Sequence, residues 1–251
     1  MSVCRVCEDP LVLPLDPEDT HTGSSAVPDD LQLQCGCRYH WQCLMDQSLD
    51  VIQSLKCPSC ATSLSVYQPG SSSATSVLPI PVGASILARY INEGGIQENL
   101  DILPSLAEEA YLEEHPEARP ARAFHVLCTE GDVLGMVELL HNVNDDVDNL
   151  GPLIRYQDPL SNMRSGLHLA IEHGQEDAVW LLLWLSSAVP EEAFPDVARH
   201  AAESIAISRL QVTPDTDIRS LQDAERRTAL TLAQQLQGNW NAILESGILS
   251  V

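Results

Sequence analysis

The sequence predicts two domains of different construction: a small one held by cysteine and histidine side chains, then an all-α one built of repeated helix pairs. Three observations predict this. Seven cysteines and one histidine fall in four close pairs within the first sixty residues. A tract of serine, glycine and proline follows, Pro69-Gly70-Ser71 through Ser76 with Pro79 and Pro81, the composition of a flexible tether. Beyond it, apolar residues at helical spacing recur in copies, and such helix pairs bury their apolar faces only by stacking. A chain of 251 residues also exceeds the usual size of one domain.

The four pairs are Cys4-Arg-Val-Cys7, Cys35-Gly-Cys37, His40-Trp-Gln-Cys43 and Cys57-Pro-Ser-Cys60. Thiolate and imidazole are the ligands zinc prefers, four per ion in a closed tetrahedral site, so eight ligands complete two sites. Disulfides are the alternative for paired cysteines, and they need an oxidising compartment. Met1-Ser-Val-Cys4 carries no apolar run of the kind that opens a signal peptide, so the expectation is zinc in an intracellular protein, cytoplasmic or nuclear. The first sixty residues look too polar for a hydrophobic nucleus, and the metals are expected to replace it.

This order of pairs, with a long gap after the first and a medium gap after the third, resembles the RING finger family. The resemblance implies an interleaved cross-brace. Cys4, Cys7, His40 and Cys43 would hold a first zinc, and Cys35, Cys37, Cys57 and Cys60 a second. Cys37 stands where many members have histidine, and it serves zinc equally well. The resemblance also implies a docking site for a ubiquitin-conjugating enzyme, whose thioester-linked ubiquitin is restrained for attack by a substrate lysine. That gain is positioning, with no covalent step and no catalytic residue in this chain. Val6, before the second ligand, and Pro58, after the seventh, match the family's docking positions, and Leu44 joins them as a partner-binding candidate. Gln47 stands where the family often has tryptophan, and Ala61 where many active members carry a basic residue. Lys56 is the sole lysine, which suits either a protein working beside charged ubiquitin or a plain compositional bias.

Taken in order, the RING-type domain spans 1–65. Residues 8–34 read as an acidic, proline-punctuated loop, with Leu31 and Leu33 alternating as in a strand that feeds Cys35. Leu44, Ile52 and Leu55 fall on one side of a short helix expected between the third and fourth pairs. A linker occupies 66–83, and the helical domain 84–251. Its first helices are expected over Ala84–Tyr90 and Pro104–Glu114, separated by Gly94-Gly95; Pro104 suits a first helical position.

Repeats are expected at about 121–145, 158–187 and 223–247. Ala123-Phe-His125-Val-Leu127-Cys128 to Leu140 can be laid over Gly166-Leu167-His168-Leu169-Ala170-Ile171 to Leu183, with Gly131 over Gly174; a weaker copy runs from Thr228 to Leu244 behind Asp223. The middle copy closely resembles the ankyrin repeat. That resemblance implies an inner helix, a turn and an outer helix per copy, a stack that presents a protein-binding face, and structural roles for His125 and His168. The copies recur further apart than the roughly 33 residues of the family. The surplus lies in Asn142 to Asn162 and Ser187 to Ser220, the latter containing a helix-like stretch from Phe194 to Leu210. Cys128, in the first inner helix, is expected to pack and not to react.

The net charge of −23 repels phosphate backbones and anionic membranes, which argues against nucleic-acid and membrane partners. The longest strongly apolar run, Ala178 to Leu185, is too short to span a bilayer. No nucleotide-binding glycine loop, hydrolase elbow or zinc-protease signature occurs. The leading expectation is a RING-type ubiquitin ligase, a transferase that recruits substrate through ankyrin repeats. The alternative is a non-catalytic zinc-finger and ankyrin adaptor that only binds proteins.

Overall fold

The computed structural model describes residues 2–14, 26–67, 78, 80–81, 83–146, 149–196, 198–200, 207–236 and 240–251, with the side chains of 144–146 excepted. The chain forms two compact units, Met1–Pro116 and Glu117–Val251.

In the first unit, β1 (Val12–Pro14) pairs antiparallel with β2 (Ala26–Pro28), so the ends of the expected loop 8–34 are a hairpin; residues 15–25 lie outside the described residues. The strand expected from Leu31 and Leu33 is β3 (Asp30–Leu33), with both leucines buried. It turns through Gly36, at a φ of 83°, into β4 (Arg38–Tyr39). Two short helices, α1 (Trp41–Met45) and α2 (Ser48–Ser54), stand where one was expected. Leu55 ends α2 in the left-handed conformation, at a φ of 52°.

The helix expected over Ala84–Tyr90 is a strand. β6 (Ala84–Asn92) is the central member of a sheet and pairs with β3, with β5 (Ser65–Tyr67) and with β7 (Gly95–Asp101). Ile86, Tyr90 and Ile91 are residues that suit a pleated surface, and pairing on both edges overrides the apolar spacing that suggested a helix. Ser65–Tyr67 of the expected linker is strand too, whereas 68–77, 79 and 82 lie outside the described residues. The helix expected from Pro104 to Glu114 is α3 (Leu103–Glu114), with Pro104 in its first turn. α3 packs on α1 and α2, so residues 84–116 complete the first unit and the unit boundary falls after Pro116, not in 66–83. A hydrophobic core therefore exists where metals were expected to replace one. Leu31, Tyr39, Leu44, Val51 and Ile52 are buried with Ile86, Ile102, Leu106 and Ala110. The apolar residues of the first sixty were too few alone, and β6 and α3 supply the other half.

The second unit is helical. α4 (Arg119–Glu130) and α5 (Val133–Asp146) form one helix pair, and α7 (Gly166–Glu172) and α8 (Glu176–Ser186) a second. A third pair comprises α9 (Ala229–Leu236) and α10 (Asn241–Ser246), with 237–239 outside the described residues. Gly131 and Gly174 both hold left-handed backbone, at φ of 72° and 76°, in the turns between the two helices of the first and of the second pair. α4, α7 and α9 pack in succession, and α5 lies against α8. One continuous core runs through the three pairs, from Phe124, Met136 and Leu140 through Leu167, Ile171, Val179 and Leu182 to Leu232, Trp240 and Ile243. Trp240 is not left with a buried orphan donor: its Nε1–H donates to the Ile171 carbonyl at 3.1 Å. Between the first two pairs lie α6 (Gly151–Ile154) and a small hairpin, β8 (Gln157–Asp158) with β9 (Arg164–Ser165). Between the second and third, the chain runs through short 3-10 turns at 191–193, 214–216 and 218–220. Of the helix-like stretch from Phe194 to Leu210, residues 198–200 are helical, 207–210 are not, and 197 and 201–206 lie outside the described residues.

Candidate metal centre

The eight ligand candidates meet in two groups. Cys4, Cys7, His40 and Cys43 form one, Cys35, Cys37, Cys57 and Cys60 the other, and within each group the ligand atoms all lie within 4.8 Å of one another. The first and third pairs share one cluster, and the second and fourth the other. Each cluster could hold a metal ion.

Local backbone explains why. The two Cys-x-x-Cys loops are built alike. Cys4 O accepts from the Glu8 N–H at 3.1 Å and Cys57 O from the Ala61 N–H at 2.8 Å; Cys4 N–H donates to Asp9 O and Cys57 N–H to Thr62 O, both at 2.9 Å. In each loop the residue directly after the second cysteine is left-handed, Glu8 at a φ of 64° and Ala61 at 57°. Each loop thus curls its two sulfurs toward one point. The second pair is presented by the turn between β3 and β4, which Gly36 makes possible. The third pair opens and occupies α1, where His40 and Cys43 lie about one turn apart.

The donor geometry fits a tetrahedral ion. Sulfur and nitrogen ligands at usual zinc distances stand about 3.6 Å apart; His40 Nδ1 lies 3.3 Å from Cys7 Sγ and 3.8 Å from Cys43 Sγ. His40 Nε2 lies 2.9 Å from the Pro10 carbonyl oxygen. A carbonyl only accepts, so Nε2 carries the proton and the Nδ1 lone pair faces the thiols, the tautomer a metal requires. In the other cluster the Tyr39 hydroxyl lies 3.0 Å from Cys57 Sγ and 2.7 Å from Ser59 Oγ. Cys60 Sγ lies 3.2 Å from Thr62 Oγ1.

Crowded thiols cannot all ionise without a cation, and their proton affinities split accordingly. Burial pushes the Cys4 thiol up, but backbone N–H groups of Cys7, Val6 and His40 outweigh it and bring it down to about 6. Burial and the neighbouring Cys4 and Cys7 sulfurs push Cys43 up to about 12. The second cluster repeats the pattern. The Thr62 hydroxyl and N–H lower Cys60 to about 6, while burial, with Cys57 and Cys60 beside it, raises Cys35 to about 12. A divalent cation resolves the conflict by displacing the remaining protons.

Sequence reasoning missed the support around the ligands. Asp29, buried and without an ion-pair partner among the described residues, accepts the Trp41 N–H with both carboxylate oxygens at 3.2 Å and the Tyr90 hydroxyl at 2.9 Å. The Trp41 and Tyr90 rings meet at 5.1 Å between centroids, tilted by 42°. A residue of β6 thus fixes the start of α1, right beside His40. No local pattern marks a partner 61 residues away in sequence.

Of the partner-binding candidates, Val6 is 45% exposed and Pro58 is also exposed. Leu44 is 0% exposed, so it belongs to the core and not to a docking surface. Gln47 is half-buried, and Ala61 exposed.

In the second unit His168 is structural. Its Nε2–H donates to the Arg227 carbonyl at 2.9 Å and its Nδ1 lies 2.8 Å from Ser165 Oγ, which ties the middle helix pair to the loop before the third. Asp158 and Asp223 repeat one device in successive loops: each accepts the N–H two residues on at 2.9 Å, and they pair with Arg122 and Arg227. Cys128 is buried beside Gly166, its thiol pushed up by burial, and no hydrogen bond joins it to a base among the described residues. No helix among the described residues is long and apolar enough to cross a membrane. Comparison of the chain with protein-family models, with curated proteins and with solved structures gives no match.

Proposed function

We propose that this chain is a RING-type ubiquitin-protein ligase that binds two zinc ions, docks a ubiquitin-conjugating enzyme beside them, and recruits a protein substrate on an ankyrin-type stack. The observation that carries the reading is the pairing of the ligand groups, first with third and second with fourth, the interleaving a cross-brace requires. Exposure of Val6 and Pro58, on the two similarly built cysteine loops, supports a docking surface across both. Three stacked helix pairs, the first two with glycine turns at matching positions, support the repeat reading.

The test is discharge of ubiquitin from a panel of charged conjugating enzymes. The intact zinc-loaded chain should accelerate it, and Val6→Ala or Pro58→Ala should abolish the acceleration while native mass spectrometry still finds two ions. Gln47 and Ala61 favour a second reading, a non-catalytic adaptor in which both units only bind proteins. No acceleration by the metal-loaded chain selects the adaptor.

A further inference from the structure

The two surplus segments between the helix pairs, the inserts, meet each other: Arg155, just after α6, donates from Nη2 to the Asp215 carbonyl at 3.2 Å. The outer face of the first pair is bare. α4 and α5, joined by the turn at Gly131 and running antiparallel, face one another at Leu127 and Gly135, where a Cβ on the glycine would stand 2.9 Å from Leu127 Cδ2. Phe124 and Cys128 of α4, with Met136 and Leu140 of α5, are buried in the core shared with α7 and α8. Antiparallel helices turn in opposite senses, so Val126 and Leu134, one residue before the facing positions, both lie on the side away from that core. Val126 is 55% exposed and Leu134 82%. Arg119, Ala123 and Glu130 of α4 and Glu138 of α5 are exposed with them, at helical spacing. The end pair of a helical stack ordinarily closes with a polar outer face. This one places a valine and a leucine there.

The α4 part of this face is complementary to itself. Its exposed stripe is Arg119, Ala123, Val126 and Glu130, with spacings of four, three and four residues that read the same from either end. Turned end over end and laid on a copy, the stripe sets Arg119 on Glu130 and Ala123 on Val126, and the reciprocal contacts repeat both. Cation meets anion, and a small side chain meets a larger one. The charges also run against the needs of α4 itself. A helix favours anions in its first turn and cations in its last; α4 has neither, and begins with Arg119 and ends with Glu130. Arg119 already engages a group of its own chain, and a guanidinium has donors for a second partner.

We infer that this face binds a second copy of the chain, through a two-fold axis that crosses the two α4 helices antiparallel between Ala123 and Val126. The contact is isologous, the same patch on both copies. Ala123 lets the helices approach, Val126 and Leu134 of both copies leave water, and two Arg119–Glu130 pairs fix the register. Exposed ion pairs add little affinity. With few apolar side chains on each side the dimer is weak, dissociating in roughly the micromolar range. The assignment rests on neither the zinc reading nor the ligase reading.

Sedimentation equilibrium of the intact, metal-loaded chain tests it, at physiological salt, where the net negative charge is screened, and from about 1 µM to about 300 µM protein. A reversible monomer–dimer equilibrium should appear. Val126→Glu should weaken it about tenfold or more with the thermal unfolding midpoint little changed. Arg119→Glu and Glu130→Arg should each weaken self-association several-fold, because each sets like charges opposite one another. An equimolar mixture of these two variants should associate at least as tightly as the native chain, because both contacts of the mixed dimer again pair opposite charges. Both reversals agree with the helix dipole, so α4 should keep its fold, which circular dichroism checks. A chain that stays monomeric over the whole range overturns the assignment and leaves the face to a different protein. A dimer that Val126→Glu does not weaken overturns it too, as does a mixture that associates no better than either variant alone.

Discussion

Tyr39 and His125 show how single buried side chains set the chemistry of each unit. With Cys57 as a thiolate, the Tyr39 O–H has a sulfur acceptor 3.0 Å away. Outer-shell groups of this kind are worth about tenfold or more in metal affinity. Tyr39→Phe should therefore release one of two ions about tenfold more readily to a competing chelator and leave the other unchanged; loss of both ions together would place Tyr39 in the fold and not in the site. Metal uptake should also weaken as pH falls, because Cys35 and Cys43, held up at about 12 without a cation, must give up protons to bind one. Proton release on zinc addition at neutral pH measures this directly. His125 works the other way. Burial, with the Arg122 and His168 charges adding to it and only the Tyr156 backbone opposing, lowers its pKa to about 4. Unfolded, it would titrate near its ordinary value of about 6.5. Between these values the unfolded chain binds the extra proton, so stability is complete above about 6.5 and is lost as pH falls, by about 2 kcal/mol at pH 5. Denaturant unfolding of the chain and of His125→Leu at both pH values checks it: the variant should lose that part of the pH dependence.

At the scale of elements, α4 and α7 approach closely at Gly166. A Cβ on Gly166 would stand 2.9 Å from Cys128 Sγ, and both helices are buried on that side. Gly166→Ala should cost about 1–3 kcal/mol in unfolding free energy through overpacking; pairing it with Cys128→Ala should restore part of the loss. In the first unit, the left-handed residue after each Cys-x-x-Cys loop is Glu8 or Ala61. Ala61 is also the position where the RING resemblance calls for a basic side chain. Ala61→Arg should raise ubiquitin discharge several-fold if the domain is an active ligase, measured with zinc content held constant. The ligand pairs, β3 and α3 were legible beforehand because short spacings and helix-period leucines are local signals. β6 was not. Its apolar residues suit helix or strand equally, and only β3, β5 and β7 on its edges decide the matter.

For the whole molecule, the decisive finding is that the unit carrying both candidate ligand clusters extends to Pro116. A fragment ending at Tyr67 keeps all eight ligands but loses β6, β7 and α3, and with them Tyr90 and the apolar layer over α1 and α2. We expect this fragment to take up metal with poorly dispersed amide resonances, and the fragment ending at Pro116 to give a dispersed spectrum with two ions bound. Equal dispersion in both would return the boundary to the 66–83 segment. By itself the sequence determined the eight ligand candidates and the positions of three helix pairs, because both are written in spacings of a few residues. Tertiary structure alone decided which strand completes the first core, that Leu44 lies inside, and that two inserts 60 residues apart meet around Arg155. Pairing across such separations depends on edges and surfaces that exist only after the chain has folded.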